Sequence, residues 1–127
     1  MYRQGMTFEP RSMVAQKEAF GYTSGLPVPA DGVDPSDHRY RGAMVQHILA
    51  RMVREGLRHR GLNVTSFVES IGDVPGLSAD RLRRVLRGET SATFADLAFF
   101  VSEFPATANQ VAAYVAHWAK GAPESRG

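Results

Sequence analysis

Cysteine is absent from this 127-residue chain. That excludes disulfide frameworks, thiol catalysis and cysteine-held zinc, and it fits a reducing compartment. No apolar run approaches the ~20 residues a membrane-spanning helix needs. The N-terminus, MYRQGMTFEPRSMVAQ, lacks the charged-then-apolar order of a secretion signal. Together these absences read as a soluble, cytoplasmic chain. Internal repeats and convincing strand patterns are missing too. Lysine is scarce, two residues against thirteen arginines. GC-rich codon usage produces the same bias, so the ratio alone carries no chemistry. The length suits one domain with a single core and no need of metal or disulfide staples.

Chemical motifs are also lacking. There is no phosphate-cradling glycine loop, nucleophile elbow or zinc pattern. His38, His47, His59 and His117 form no His-x3-His pair beside a carboxylate. Asp31, Asp34 and Asp37 miss the glycine and distal glutamate of a calcium loop. No catalytic residue, metal or cofactor is expected, and an enzyme is the least supported class.

What is present is an uneven charge distribution. Residues 1–38 hold three basic groups against five acids, and residues 89–127 hold two against four. Residues 39–88 hold ten arginines against four acids. A basic centre between mildly acidic flanks suits a polyanionic partner; arginines that merely solvate helix faces would give the same count.

Proline and glycine punctuate TSGLPVPADGVDPSD, residues 23–37. Residues 1–37 therefore read as an arm and linker, with a short helix expected from Pro10 to Phe20. The arm is expected to be mobile or an irregular strap, dispensable for folding. Residues 38–127 read as the folded domain. Val45, Ile48, Leu49, Met52, Val53 and Leu57 recur at three- and four-residue steps, predicting a helix over about 41–60 that stops at Gly61. Gly56 inside it predicts close packing. A second helix runs from Val64 or Thr65 to about Ile71, capped by Asn63, with Phe67, Val68 and Ile71 inward. Pro75-Gly76 suits the centre of a type II turn. Ser78 caps a third helix ending at Arg87, before Gly88. Thr93 with Asp96 caps a fourth, lined by Phe94, Leu97, Ala98, Phe100, Val101 and Phe104. A fifth runs from about Ala108 to Lys120.

The third helix is the most informative element. Leu82, Val85 and Leu86 share one face, and Arg81, Arg83, Arg84 and Arg87 surround it. Arginine neutralises phosphate and grips guanine edges with paired hydrogen bonds. At about 100° per residue the outward centre falls on Asp80, Arg84 and Arg87, with Arg81 and Arg83 flanking it.

The ordered set Arg60-Gly61-Leu62-Asn63, Phe67-Val68, Ile71-Gly72, Leu77-Ser78, Leu82, Val85 and Arg87-Gly88-Glu89 resembles the Cro/repressor-type helix-turn-helix regulators, the xenobiotic-response-element-like family. The likeness covers roughly residues 43–105. It implies an all-α, five-helix, lambda-repressor-like domain whose recognition helix, about residues 78–87, enters the major groove. Groove-facing family positions fall on Ala79, Asp80, Arg84 and Arg87. Thr90, Ser91 and Thr93 match family positions that touch the phosphate backbone, and their hydroxyls serve equally well as loop and cap groups; Ser78 and the free backbone amides behind it, on geometry, can also meet a phosphate. Asp80 is expected to pair with Arg84 as an i,i+4 neighbour. Two departures stand out. The turn between the second and third helices is longer than the common form by about four residues, Asp73 to Gly76, and Val64 stands where the family often has a phosphate-contacting glutamine.

On the fifth helix, Val111, Tyr114, Val115 and Trp118 form an apolar stripe. Trp118 is expected to be buried, either closing the core or forming a dimer surface with Phe99. The function implied is sequence-specific binding of double-stranded DNA, as a homodimeric transcriptional regulator of a bacterium or phage, associated with the nucleoid. Two alternatives remain at this stage. One is a protein-interaction module on the same scaffold, an antitoxin or a transcription-machinery adaptor docking a protein partner through the arm. The other is nonspecific nucleoid binding.

Overall fold

The computed structural model describes residues 8–120. Residues 1–7 and 121–127 of the expected arm and domain lie outside the described residues. Within them the fold is all-α: five α-helices and no strand beyond two isolated bridges. The helices are α1 (His38–Arg60), α2 (Val64–Ile71), α3 (Ala79–Leu86), α4 (Phe94–Glu103) and α5 (Ala106–Ala119). No helix among them is long and apolar enough to cross a membrane.

Local chemistry sets most of these bounds. Asp37, Asn63, Ser78 and Thr93 each accept a first-turn backbone N–H in their side chains. Asn63 with Ser66, and Thr93 with Asp96, complete reciprocal capping boxes. α3 closes in a Schellman arrangement. Glu89 N–H reaches the Arg84 carbonyl at 2.9 Å and Gly88 N–H reaches Val85 at 3.1 Å. The left-handed φ of +73° at Gly88 makes that closure possible. Between α2 and α3, Leu77 N–H returns to the Val74 carbonyl at 3.0 Å across Pro75-Gly76. Gly76 takes φ +79°, as its place in a type II turn requires.

The main core gathers Leu49, Val53, Leu57, Phe67, Leu82, Val85, Leu86, Phe100 and Phe104. Leu82, Val85 and Leu86 are at most 1% exposed, so α3 is held firmly by its apolar face. Gly56 lets α1 approach the Phe104 ring; a Cβ there would sit 2.2 Å from it. Two expectations for α4 need correction. Phe94 is 91% exposed, because it opens the helix beyond the reach of the core, and Ala98 faces solvent. Phe99 is half-buried at the core edge, its ring 5.4 Å from Phe100 and 6.3 Å from Phe67.

The arm also differs from expectation. Pro10–Phe20 is not one helix but two short 3-10 turns, Pro10–Met13 and Lys17–Ala19. Residues 8–37 form a strap packed on α1. Met13, Val14 and Phe20 join Tyr40, Ala43 and Met44 in a second buried cluster. The Tyr40 hydroxyl donates to the Pro27 carbonyl at 2.8 Å, and burial raises its pKa. This packing argues against a dispensable arm: its apolar side chains cover part of α1 that would otherwise face water.

His47 secures the strap. Gly21 N–H donates to its Nδ1 at 2.8 Å, and its Nε2 lies 3.0 Å from the Gly25 carbonyl. A neutral ring with its proton on Nε2 satisfies both contacts. Burial, the largest influence, lowers its pKa from the ordinary 6.5. A depressed folded-state pKa means the unfolded chain binds the extra proton first. The contribution is whole above the unfolded value and is lost as pH falls through the folded one. Urea midpoints are thus expected to drop as pH falls below about 6.5. His47→Gln is expected to flatten that slope; an unaltered slope in the variant would assign the acid loss elsewhere.

α5 lies along α1. Val111, Tyr114, Val115 and Trp118 are all half-buried. Tyr114 meets the second cluster, its hydroxyl pushed by burial up to about 12. Trp118 stands edge-on to Tyr114 with centroids 6.1 Å apart, under the Arg41 guanidinium at 5.1 Å. α5 thus packs on α1 with its apolar stripe only half-covered within one chain, short of the burial expected for Trp118.

Candidate nucleic-acid interface

The arginines of α3 do not share one role. Asp80 and Arg84 form the expected i,i+4 pair at 3.4 Å, largely in solvent. Arg84 and Arg87 have side chains 47% exposed, opposite the buried face. Arg87 is steered by Glu89 at 2.9 Å, and Glu89 also meets Arg11 of the strap at 3.6 Å. Arg83 hydrogen-bonds the Thr65 hydroxyl at the start of α2. Arg81 pairs with Asp96, which also accepts Thr93 N–H at 2.8 Å. Those two side chains are only 25% and 12% exposed. Arg81 thus locks α3 to α4, whereas helix geometry alone sets it beside the outward face, toward a phosphate wall.

That difference is measurable. Arg81→Ala leaves Asp96 without its cation and is expected to cost about 1–3 kcal/mol, the range for charged hydrogen bonds. Arg83→Ala is expected to cost less than ~0.5 kcal/mol, as surface substitutions do. Urea melts of both check the contrast; equal effects would remove the assigned role of Arg81.

The hydroxyls expected at phosphate positions are placed as follows. Ser78 Oγ accepts Arg81 N–H at 3.1 Å, and Thr93 Oγ1 accepts Asp96 N–H at 3.0 Å, so both serve as caps. Ser91 is exposed. Ala79 is half-buried in the first turn of α3. Thr90 is half-buried, and its carbonyl accepts from Gln46 at 2.9 Å.

Gln46 is a residue the sequence reading passed over. Although buried, its amide is fully engaged: Nε2 donates to the Val85 carbonyl at 2.8 Å and to Thr90, and Oε1 accepts Ala92 N–H at 2.7 Å. It ties α1 to the end of α3 and to the loop after it. The signal was a lone polar side chain within the stripe Ala43, Gln46, Ala50, Val53.

A second omission is a polar cleft of about 390 Å³ beside α3, lined by Tyr22, Arg54, Thr65, Arg83 and Arg87 among others. Arg54 lies over the Tyr22 ring at 3.9 Å and donates from Nη2 to the Leu86 carbonyl at 3.1 Å. Its buried Nε has no partner among the described residues. Burial, opposed by Tyr22 and aided by Arg87, lowers its pKa. Asn63 and Val64 also line the cleft, so the positive end of α2 opens there. Three guanidinium groups and a helix N-terminus around one opening favour an anion.

The strap holds the same region from behind. Arg11 N–H donates to the Gly88 carbonyl at 3.1 Å. The Phe20 ring lies so close to Gly88 that a Cβ would stand 2.8 Å from it. No group of His, Cys, Asp and Glu among the described residues could hold a metal ion. A scan against protein-family models matches none, and neither curated proteins nor solved structures give a match.

Proposed function

We propose that the chain binds double-stranded DNA in a sequence-specific way and acts as a transcriptional regulator, with α3 as its reading helix. The observation that carries the reading is the placement of arginine on α3. Its apolar face is sealed, Arg84 and Arg87 point outward, and Arg54, Arg83 and the start of α2 form an anion-seeking cleft alongside. In this reading Arg84 and Arg87 address base edges and the cleft takes a backbone phosphate. A lambda-repressor-like docking follows, and two copies pair so that two reading helices meet successive major grooves, about 34–36 Å apart. Such a protein works at the nucleoid.

Selection of bound duplexes from a random library tests this. The expected product is an inverted repeat with half-site centres about 10–10.5 base pairs apart or a multiple of that. Recovery of unenriched sequence would leave nonspecific binding, and recovery of nothing above background would end the DNA reading.

A further inference from the structure

On the side of α1 away from the strap, an apolar groove of about 440 Å³ runs between α1, α5 and the start of α4. Its size is that of a small-molecule site rather than a packing defect. Val45, Leu49, Leu97, Val115 and Trp118 line it, with exposed Phe94 at its edge. Its cationic side is Arg41, with His38 nearby. Among the described residues no carboxylate lies within ion-pair distance of Arg41. Asp34, an acid that feels its charge, is held instead by the Ser36 N–H at 2.8 Å and hydroxyl at 2.9 Å. Trp118 adds a buried indole Nε1 that has no acceptor among the described residues.

We infer that this groove is a binding site for a small organic carboxylate with an apolar body, the acid group on Arg41 and the body against Val45, Leu97 and Trp118. Charge complementarity selects the class. An apolar wall with one guanidinium that stacks on Trp118 but meets no carboxylate among the described residues favours an amphipathic anion over a neutral oil or a polar metabolite.

The groove wall is also joined to the reading helix at both ends. Gln46 lines the groove while holding the Val85 carbonyl in the last turn of α3. Thr93 lines it too, and shares Asp96 with Arg81 in the first turn. Occupation of the groove therefore bears on the placement of α3, and the ligand regulates DNA affinity. This second step rests on the DNA reading above; the site itself does not.

Octanoate and the matched alcohol octanol serve as probes. Trp118, the only tryptophan in the chain, reports binding by its emission. Octanoate is expected to bind with a Kd on the order of 100 µM. Arg41→Gln is expected to weaken octanoate about tenfold and leave octanol unchanged. Val45→Phe fills the groove and is expected to remove binding of both, with helical content kept in both variants. Saturating octanoate is expected to change the affinity for a selected duplex by about fivefold or more, and the duplex to change octanoate affinity by the same factor.

No emission change at millimolar octanoate overturns the site. So does octanoate binding indifferent to both substitutions, or a groove emptied only by dilution, which would give it to a second copy of the chain. Octanoate binding that depends on Arg41 and Val45 with no duplex binding keeps the site and ends the DNA reading. Duplex binding without octanoate binding does the reverse, and binding of both without mutual effect overturns the regulation.

Discussion

Removal of residues 1–37 is expected to abolish cooperative unfolding of the rest of the chain. Small domains are stable by only about 5–15 kcal/mol. Phe20, 1% exposed, is expected to cost about 3–5 kcal/mol on its own when changed to alanine. The deletion also removes Met13 and Val14, exposes Met44 and Ala43, and frees His47 from Gly21 and Gly25. The sum of such losses is comparable to the whole stability. Thermal melts followed by circular dichroism check both variants. A truncated chain that melts as sharply as the full one would show that the strap merely rests on α1. Phe20→Ala has a second expected consequence, because its ring backs Gly88 at the end of α3. DNA affinity is expected to fall even at temperatures where the variant remains folded.

Substitution of the outward arginines should separate base reading from phosphate binding. Arg84→Ala or Arg87→Ala is expected to cost about 1–3 kcal/mol on the selected site and to relax preference at one base position. Arg84 first has to leave Asp80, a solvent-screened pair of little worth, and Arg87 has to leave the half-buried Glu89 that Arg11 also meets. Arg54→Gln and Arg83→Ala act differently. They are expected to weaken binding to every duplex and to reduce the salt slope by about one unit each. Uniform losses for all four, with no change in preference, would place the arginines of α3 on phosphate alone.

Much of this was readable from local chemistry. The caps Asn63, Ser78 and Thr93, the Pro75-Gly76 turn, and the apolar sets on α2 and α3 each depend on residues within one turn of one another. So does the Asp80–Arg84 pair. The parts that escaped are long-range. Phe20 is buried because Gly88, far along the chain, leaves room for its ring. Arg54 reads as one more solvated charge on α1 until Tyr22 is laid under it. Arg81 and Arg83 share a helix with Arg84, yet contacts from Asp96 and Thr65 on neighbouring helices give them different work. Phe94 fits the periodicity of α4, but a stripe says nothing of where the neighbouring helix ends, and the ring stands in water.

The central claim is that α3 reads DNA sequence. Its most direct test is the affinity of the unmodified chain for a selected duplex and for random duplex of equal length, across salt concentration. Specific binding is expected to exceed random by at least about a thousandfold at physiological salt. Log affinity should fall linearly with log salt, reflecting the phosphates that Arg54, Arg83 and their neighbours neutralise. Equal affinity for both duplexes would reduce the protein to a nonspecific binder. Binding to neither at moderate salt would contradict the account and leave the basic face to an acidic protein partner.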